Sequence, residues 1–426
     1  MPRPVPPAVR MLALASATGL AACTTGPMAI FTGEGSVMPP AQQGGLAPDQ
    51  NAAPRSNRVG LLLPLTGVNA PLGQAMLKSA QLALDAPGAP GLDAQDTGDA
   101  PGGGVRAAQA AITAGDGILI GPLTSTETAQ AAPVALAASV PMLSFTSDVA
   151  QAQPGVWVMG VTPEQQVRRL VAAARADNRS RIAALLPDNA LGRAMADGLR
   201  RACQDAGLPA PVISMHGESM ESVNTAMRSL SDFADRRGAI EEKVKDAKAS
   251  QDPAVRDTAQ GLSQAPIPPP PFDALLLGDT GVGLQEVIST LAYYDVSPSQ
   301  VRIMGPLLWE AFASKLHALE GAWFAGPDPG SRRGFVALYQ NKFGQPPRPL
   351  ADIPYDAAAL ARNLSQRGGY GVDMLTRPDG FAGVDGLFAL QPDGHVQRGL
   401  AIFQIQPGGG ASIIQPAPGS LGNTTS

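Results

Sequence analysis

The sequence contains few of the residues that most catalytic and metal sites require: it has two cysteines and three histidines among 426 residues. The histidines, His216, His317 and His395, are far apart in the chain and have no metal-ligand spacing. The sequence contains no Gly-x-Ser-x-Gly elbow, no phosphate-binding Gly-x-x-x-x-Gly-Lys loop and no dinucleotide fingerprint. We therefore expect no catalytic residues, no cofactor and no metal site.

Excess positive charge and long apolar runs are also absent. The net charge is −5 and the isoelectric point is about 5.3, so no basic surface is expected for a nucleic-acid partner. After the first 22 residues, no segment has the roughly 18 uninterrupted apolar residues that a membrane-spanning helix needs. A hydrophobic content of 44% indicates an ordinary globular body.

The N-terminus has the order of an exported lipoprotein. Arg3 and Arg10 precede an apolar stretch, 11–22, which ends in small residues before Cys23. This order predicts a signal peptide over 1–22 and a lipid on Cys23; the alternative is a chance apolar start with an ordinary cysteine. Because Thr24 stands where an inner-membrane retention signal usually has Asp, we expect a periplasmic protein anchored to the outer membrane. The lipid would be its only contact with a membrane.

The second cysteine, Cys203, then has no partner for an intrachain disulfide. Its helical spacing places it on one face with Met195, Leu199 and Ala202. We interpret it as a small apolar core residue.

Three segments depart from the rest in composition. Residues 24–56 are rich in Gly, Pro, Ala and Gln and predict a flexible tether that follows the lipidated Cys23. Residues 407–426 have a similar composition and are expected to be disordered. Residues 236–264 are dense in charge and predict an inserted helix; the alternative is a solvated surface helix without a partner.

The remaining chain alternates short apolar runs with amphipathic segments. Apolar runs occur at 59–63, 118–120, 182–186 and 274–277. Strands that are apolar throughout, separated by helices, are typical of parallel sheets covered on both faces. The predicted fold class is α/β.

Hydroxyl side chains follow two of these strands. Thr124 and Ser125 open a helix after one strand, and Ser144 and Thr146 follow the next. Helix amides and hydroxyls at strand ends can hold a ligand carboxylate, so these four residues are candidate ligand contacts. The alternatives are that Thr124 and Glu127 form a capping box, and that Ser144 and Thr146 are turn residues.

Several motifs together resemble the type I periplasmic binding proteins of the leucine/isoleucine/valine-receptor kind. The resemblance extends over about residues 57–406, and the motifs that carry it are Leu-Leu-Leu-Pro-Leu-Thr-Gly at 61–67, Gly-Pro-Leu-Thr-Ser at 121–125, Val-Pro-Met-Leu-Ser at 140–144, Asp-Asn-Ala-Leu-Gly at 188–192, Tyr-Asp-Ala at 355–357 and Phe-Ala-Gly-Val-Asp-Gly at 381–386.

The resemblance implies two α/β lobes, joined by three crossings and separated by a central cleft. Lobe 1 would comprise 57–162 plus 328–380, and lobe 2 would comprise 163–327 plus 381–406 with the charged insert.

Within that family, the lipobox, the tether, the insert and the opening motif most resemble the penicillin-binding protein activators. This implies a non-catalytic lipoprotein whose partner is a peptidoglycan synthase. The alternative is an ABC-transporter solute receptor for an amino acid or a similar small ligand; an enzyme is a third reading. Amino-acid receptors of this family commonly have a Tyr just before the glycine of the motif found here at 188–192. This sequence has Leu191 at that position.

Overall fold

The computed structural model describes residues 56–421. The predicted signal peptide, Cys23 and the tether up to residue 55 lie outside the described residues. Within the described part of the chain, no helix combines the length and the apolar character needed to cross a membrane.

The first half of lobe 1 is a five-stranded sheet with helices between its strands. All of its strand pairs are parallel, in the order β2-β1-β3-β4-β5. The elements are β1 (Val59–Leu63), α1 (Ala70–Leu84), β2 (Leu92–Asp96), α2 (Gly103–Thr113), β3 (Ile118–Ile120), α3 (Ser125–Ala137), β4 (Met142–Ser144) and β5 (Val156–Val158).

The chain then builds lobe 2. Its elements are α4 (Pro163–Ala176), β6 (Ile182–Pro187), α5 (Ala190–Asp205), β7 (Val212–His216), α6 (Met220–Leu230), α7 (Phe233–Ala249), α8 (Pro253–Ser263), β8 (Ala274–Leu277), α9 (Gly281–Tyr293), β9 (Arg302–Gly305), two 3₁₀ segments (Leu307–Lys315 and His317–Leu319) and β10 (Trp323–Gly326).

The C-terminal part of the chain contributes to both lobes. The remaining elements are α10 (Pro329–Phe343), α11 (Asp352–Ser365), α12 (Val372–Leu375), β11 (Phe381–Gly383), β12 (Gly386–Leu390), β13 (Val396–Arg398), β14 (Ala401–Ile405) and β15 (Ala411–Gln415). Strands β11 to β13 form a small antiparallel sheet. Strands β14 and β15 join the sheet of lobe 2, whose order is β15-β14-β10-β9-β8-β6-β7.

The chain passes between the lobes three times, after β5, after β10 and after β13. The inner strands of each large sheet are buried on both faces, which explains why they are largely apolar, whereas the edge strands β2 and β7 are partly exposed. The two-lobed α/β fold with parallel sheets flanked by helices confirms the predicted fold class. Cys203 is fully buried beside Leu199 on α5, as predicted, and burial raises the pKa of its thiol to about 11.

The structure corrects the predicted boundary at residue 381. The sequence predicts that the chain returns to lobe 2 there, but β11 to β13 pack on lobe 1. Phe381, Phe388 and Val396 share a core with residues of β1, β3 and β4. In addition, Trp157 of β5 donates a 2.7 Å hydrogen bond from Nε1 to the carbonyl of Gln391. The return to lobe 2 therefore occurs at β14.

The predicted disorder over 407–426 is also wrong in part, because residues 411–415 form β15 against β14. Phe403 and Ile413 are cross-strand partners in this pair. Gly409, at φ +80°, makes the turn that a side chain would strain. The glycines that suggested disorder are turn residues of a hairpin.

The charged insert forms two helices where the sequence predicts one. Helices α7 and α8 pack against each other as a helical hairpin, residues 233–263. Asp252 separates them, since its Oδ1 accepts a 2.9 Å hydrogen bond from the amide of Ala254 and Pro253 starts the new helix.

Candidate functional site: the cleft between the lobes

The main candidate site is a cavity of about 520 Å³ where the two lobes meet. Lobe 1 contributes the segments after β3, β4 and β5, the start of α10, the start of α11 and the β11–β12 turn. Lobe 2 contributes the residues after β9. The polar lining consists of Thr146, Ser147, Glu310, Asp328, Arg332, Asp352 and Asp385.

Thr124 caps α3 and does not reach this cavity. Its hydroxyl accepts a 3.2 Å hydrogen bond from the amide of Glu127, and Oε2 of Glu127 accepts a 3.0 Å bond from the amide of Thr124. This is the capping box that the sequence offered as an alternative. Both side chains therefore serve their own helix end.

Ser125 donates its hydroxyl hydrogen bond to the carboxylate of Asp148. That hydrogen bond is the main reason why the pKa of Asp148 lies below its usual value, although burial opposes it. Asp148 also accepts a 3.1 Å bond from the amide of Ala150 and a 3.2 Å bond from Gln151. The hydroxyl assigned to a ligand carboxylate is thus held by a carboxylate of the chain itself.

Ser144 and Thr146 differ in their access to the cavity. Ser144 is fully buried and its Oγ lies 2.6 Å from Oγ1 of Thr128. Thr146 lines the cavity, and its hydroxyl accepts a 3.1 Å bond from the amide of Asp148. The fold brings the four sequence candidates together at the ends of β3 and β4, but among them Thr146 alone borders the cavity.

Sequence reasoning missed the acidic side of the cleft. Asp352 and Asp356 lie one turn apart on α11, and Asp385 sits in the turn between β11 and β12. All three are buried, and Arg332 of α10 forms a 2.9 Å ion pair with Asp352. The sequence signal that could have indicated this cluster is the spacing of Asp352 and Asp356, four residues apart on an otherwise apolar helix face.

Burial dominates the electrostatics of this cluster. Desolvation raises the pKa of Asp356 to about 6, even though its Oδ1 accepts a 2.7 Å bond from the amide of Val384. Desolvation and the charge of Asp352 raise the pKa of Asp385 to about 7, against the opposing charge of Arg398. The cleft therefore contains carboxyl groups that titrate near neutral pH.

A second, smaller pocket of about 330 Å³ lies within lobe 2, beyond the ends of β6, β7 and β8. Its floor contains His216, whose Nε2 lies 3.0 Å from Oδ2 of Asp279 and whose Nδ1 lies 2.8 Å from the carbonyl of Gly217. Because both ring nitrogens face acceptors, the imidazolium form fits this site. Among the described residues, no group of three or more His, Cys, Asp or Glu residues could hold a metal ion.

A two-lobed α/β body with a polar cavity between the lobes is the architecture of proteins that bind ligands in an interlobe cleft. The family model described as "Periplasmic binding protein" matches residues 56–411. The chain therefore belongs to the periplasmic binding proteins, and its domain is of the type I, leucine-binding-like kind. A search of curated proteins finds no match.

Solved structures share this fold at low identity. A putative branched-chain amino acid ABC transporter from Rhodospirillum rubrum has a TM-score of 0.59 at 19% identity, covering 84% of this chain and 99% of that one. A leucine-binding protein, LivK, from Thermotoga maritima has a TM-score of 0.50 at 16% identity, covering 84% and 98%.

Full-length LpoA from Haemophilus influenzae has a TM-score of 0.58 at 17% identity. The match covers 85% of this chain but 59% of LpoA, so this chain corresponds to about three fifths of that protein.

Proposed function

We propose that the chain is a non-catalytic, lipid-anchored envelope protein that stimulates a peptidoglycan synthase, a penicillin-binding protein, by direct contact. The observation that carries this proposal is the helical hairpin. The solved structures give the fold alone and include both solute receptors and LpoA, so the choice of function depends on features of this chain.

The helical hairpin has an open groove of about 810 Å³ between its helices. The apolar floor includes Ile240, Val244 and Ile267. Lys245 and Lys248 stand at its edge and, among the described residues, neither has an ion-pair partner. An exposed apolar groove with unpaired positive charge suits an acidic amphipathic segment of a protein partner. We assign that segment to the synthase.

The predicted tether gives the lobes the reach that contact requires. About 33 residues of Gly-rich coil have an average span of about 30 Å, by the rule of 5–6 Å times the square root of the length. Replacing Cys23 by Ala removes the predicted lipid acceptor, so the variant should move to the soluble periplasmic fraction or keep an uncleaved signal. An unchanged outer-membrane pellet at wild-type size would contradict the lipoprotein assignment.

A solute receptor for an amino acid is the second candidate function, and the interlobe cavity favours it. Against it, the hydroxyls of Ser125 and Ser144 are already bonded to Asp148 and Thr128. We therefore expect leucine at millimolar concentration to leave the melting temperature unchanged, whereas a bound ligand stabilises by mass action. A clear rise for leucine, lost in a Ser125→Ala and Ser144→Ala double variant, would favour the receptor.

The proposed contact can be tested in the native envelope. Crosslinked complexes of the wild type are compared with those of a variant in which 238–264 is replaced by a short Gly/Ser loop. We expect a penicillin-binding protein in the first sample and its loss in the second. Equal recovery from both would remove the hairpin from the interface, and recovery of a permease would support the receptor.

A further inference from the structure

Asp385 is a buried residue whose carboxyl group faces the interlobe cavity without a partner within residues 56–421. The residue is 5% exposed and lines the interlobe cavity. Among the described residues, none donates a hydrogen bond to its side chain or forms an ion pair with it. Buried carboxyl groups almost always have a partner, because losing water without one is costly. This position therefore lacks a donor that a bound molecule can supply.

The charged groups around Asp385 do not supply that donor. Arg332 on α10 is paired with Asp352 on α11. Arg398 on β13 donates through Nη2 to the carbonyl of Met159, at 2.8 Å, and its positive charge opposes the rise in the pKa of both Asp356 and Asp385. Two guanidinium groups thus face three carboxyl groups.

The whole cavity has the same imbalance. Its described lining carries four carboxyl side chains, those of Glu310, Asp328, Asp352 and Asp385, and one guanidinium, that of Arg332. A ligand carboxylate would meet like charge in a partly desolvated space, whereas a cation would gain from it. Apart from Thr146 and Ser147, the remaining lining is largely apolar and includes Phe145 of lobe 1 and Leu307 of lobe 2. This lining suits an apolar body attached to the cation.

We infer that the interlobe cavity binds a small organic cation, a protonated amine with an apolar body and no carboxylate, whose ammonium group donates to Asp385. This site is separate from the hairpin groove, and the inference does not depend on the proposed function.

Two probes of similar shape and opposite charge test the charge preference. The purified mature protein is titrated at pH 8 with 2-phenylethylamine or with 3-phenylpropanoate, and binding is measured by calorimetry and by thermal shift. We expect saturable binding of the amine and no binding of the acid. Equal binding of both probes, or no binding of the amine at millimolar concentration, would overturn the inference.

The pH dependence tests the role of Asp385. The amine remains protonated between pH 6 and pH 8, while a carboxyl group with a pKa of about 7 passes from about one tenth to about nine tenths ionised. Amine affinity should therefore be about tenfold higher at pH 8 than at pH 6. An amine affinity that does not change between pH 6 and pH 8 would show that Asp385 is not the group that binds the ammonium.

An Asp385→Asn variant keeps the shape of the side chain and removes its charge. We expect at least a tenfold loss of amine affinity at pH 8, while the control Asp257→Asn, at an exposed position on α8, binds as the wild type does. Wild-type affinity in Asp385→Asn would refute the assignment. If that variant does not fold, the pH series on the wild type decides the question.

Discussion

Arg236 donates a hydrogen bond of 2.7 Å from Nε to the carbonyl of Pro268, which ties the first turn of the helical hairpin to the chain that leaves it. The same guanidinium donates to the carbonyls of Ser231, Tyr294 and Asp295 at 3.0 to 3.2 Å. Arg236 is 7% exposed, so these bonds are largely shielded from water. The Arg236 side chain therefore links both ends of the helical hairpin to the C-terminal end of α9.

Replacing Arg236 by Ala should destabilise the protein by about 1–3 kcal/mol, because the variant leaves buried carbonyls without donors. The matched control is Arg237→Ala, since Arg237 is exposed and its ion-pair partner within residues 56–421 is Glu241 on the same helix. That change should alter the unfolding free energy by less than about 0.5 kcal/mol. Denaturant titration of both variants is the measurement. Equal effects would show that Arg236 does not hold the base of the hairpin.

Replacing 238–264 by a short Gly/Ser loop should change the melting temperature little. Arg236 and Pro268 remain, and within the removed segment Ala247 and Ala259 are the only buried residues. We expect a shift of no more than about 1–2 °C, corresponding to about 1 kcal/mol in a protein of about 400 residues. Scanning calorimetry measures it. Loss of the cooperative transition would mean that the hairpin is part of the core of lobe 2.

Two Gly→Ala substitutions should have opposite effects. A Cβ on Gly305 would lie 2.2 Å from Cζ2 of Trp309, which is fully buried and bonded through Nε1 to the carbonyl of Asp279. Gly305→Ala should therefore cost about 1–3 kcal/mol. On α8, Gly261 has nothing within 4 Å of such a Cβ, so Gly261→Ala should stabilise by about 0.5–1 kcal/mol. Unfolding free energies of the two variants decide whether the packing around Trp309 is as close as described.

The His216–Asp279 pair should stabilise lobe 2 only while the imidazole is charged. Burial alone would lower the pKa of His216, but hydrogen bonds to Asp279 and Gly217 and the charges of Asp279 and Glu286 raise it above its usual value. The contribution is therefore complete below the unfolded pKa of about 6.5 and is lost as pH rises through the higher folded value.

His216→Gln tests this linkage. The difference in unfolding free energy between wild type and variant should be larger at pH 6 than at pH 9. His317→Gln, at an exposed position, is the control for the substitution itself. A difference that grows with pH would mean that the histidine is buried in its neutral form.

The fold class could be predicted because its signals are local. Apolar runs such as 59–63 are buried strands, Cys203 lies in the core on a helical face, and Thr124 and Glu127 form the predicted capping box. The assignment of β11 to lobe 1 could not be predicted in this way. It depends on packing between residues far apart in sequence, such as the bond from Trp157 to Gln391, 234 positions away.

The candidate site was the least predictable part for the same reason. Glu310, Asp352 and Asp385 come from three separate segments, and no spacing between them indicates that they share a cavity. Ser125 had the residue type and position of a ligand contact, but nothing near it in sequence indicated that Asp148 would occupy its hydroxyl. The sequence pattern pointed to the ends of β3 and β4, and the tertiary structure decides which of the side chains there face the cavity.

The most direct test of the account is a reconstituted assay of glycan polymerisation by a purified penicillin-binding synthase. The mature wild-type protein, the variant with 238–264 replaced, and Gly261→Ala as a hairpin control are added in turn. We predict that the wild type and Gly261→Ala bind and stimulate the synthase, whereas the hairpin-less variant, although folded, does neither. Failure of the wild type to bind or stimulate any synthase of its own organism would contradict the activator function.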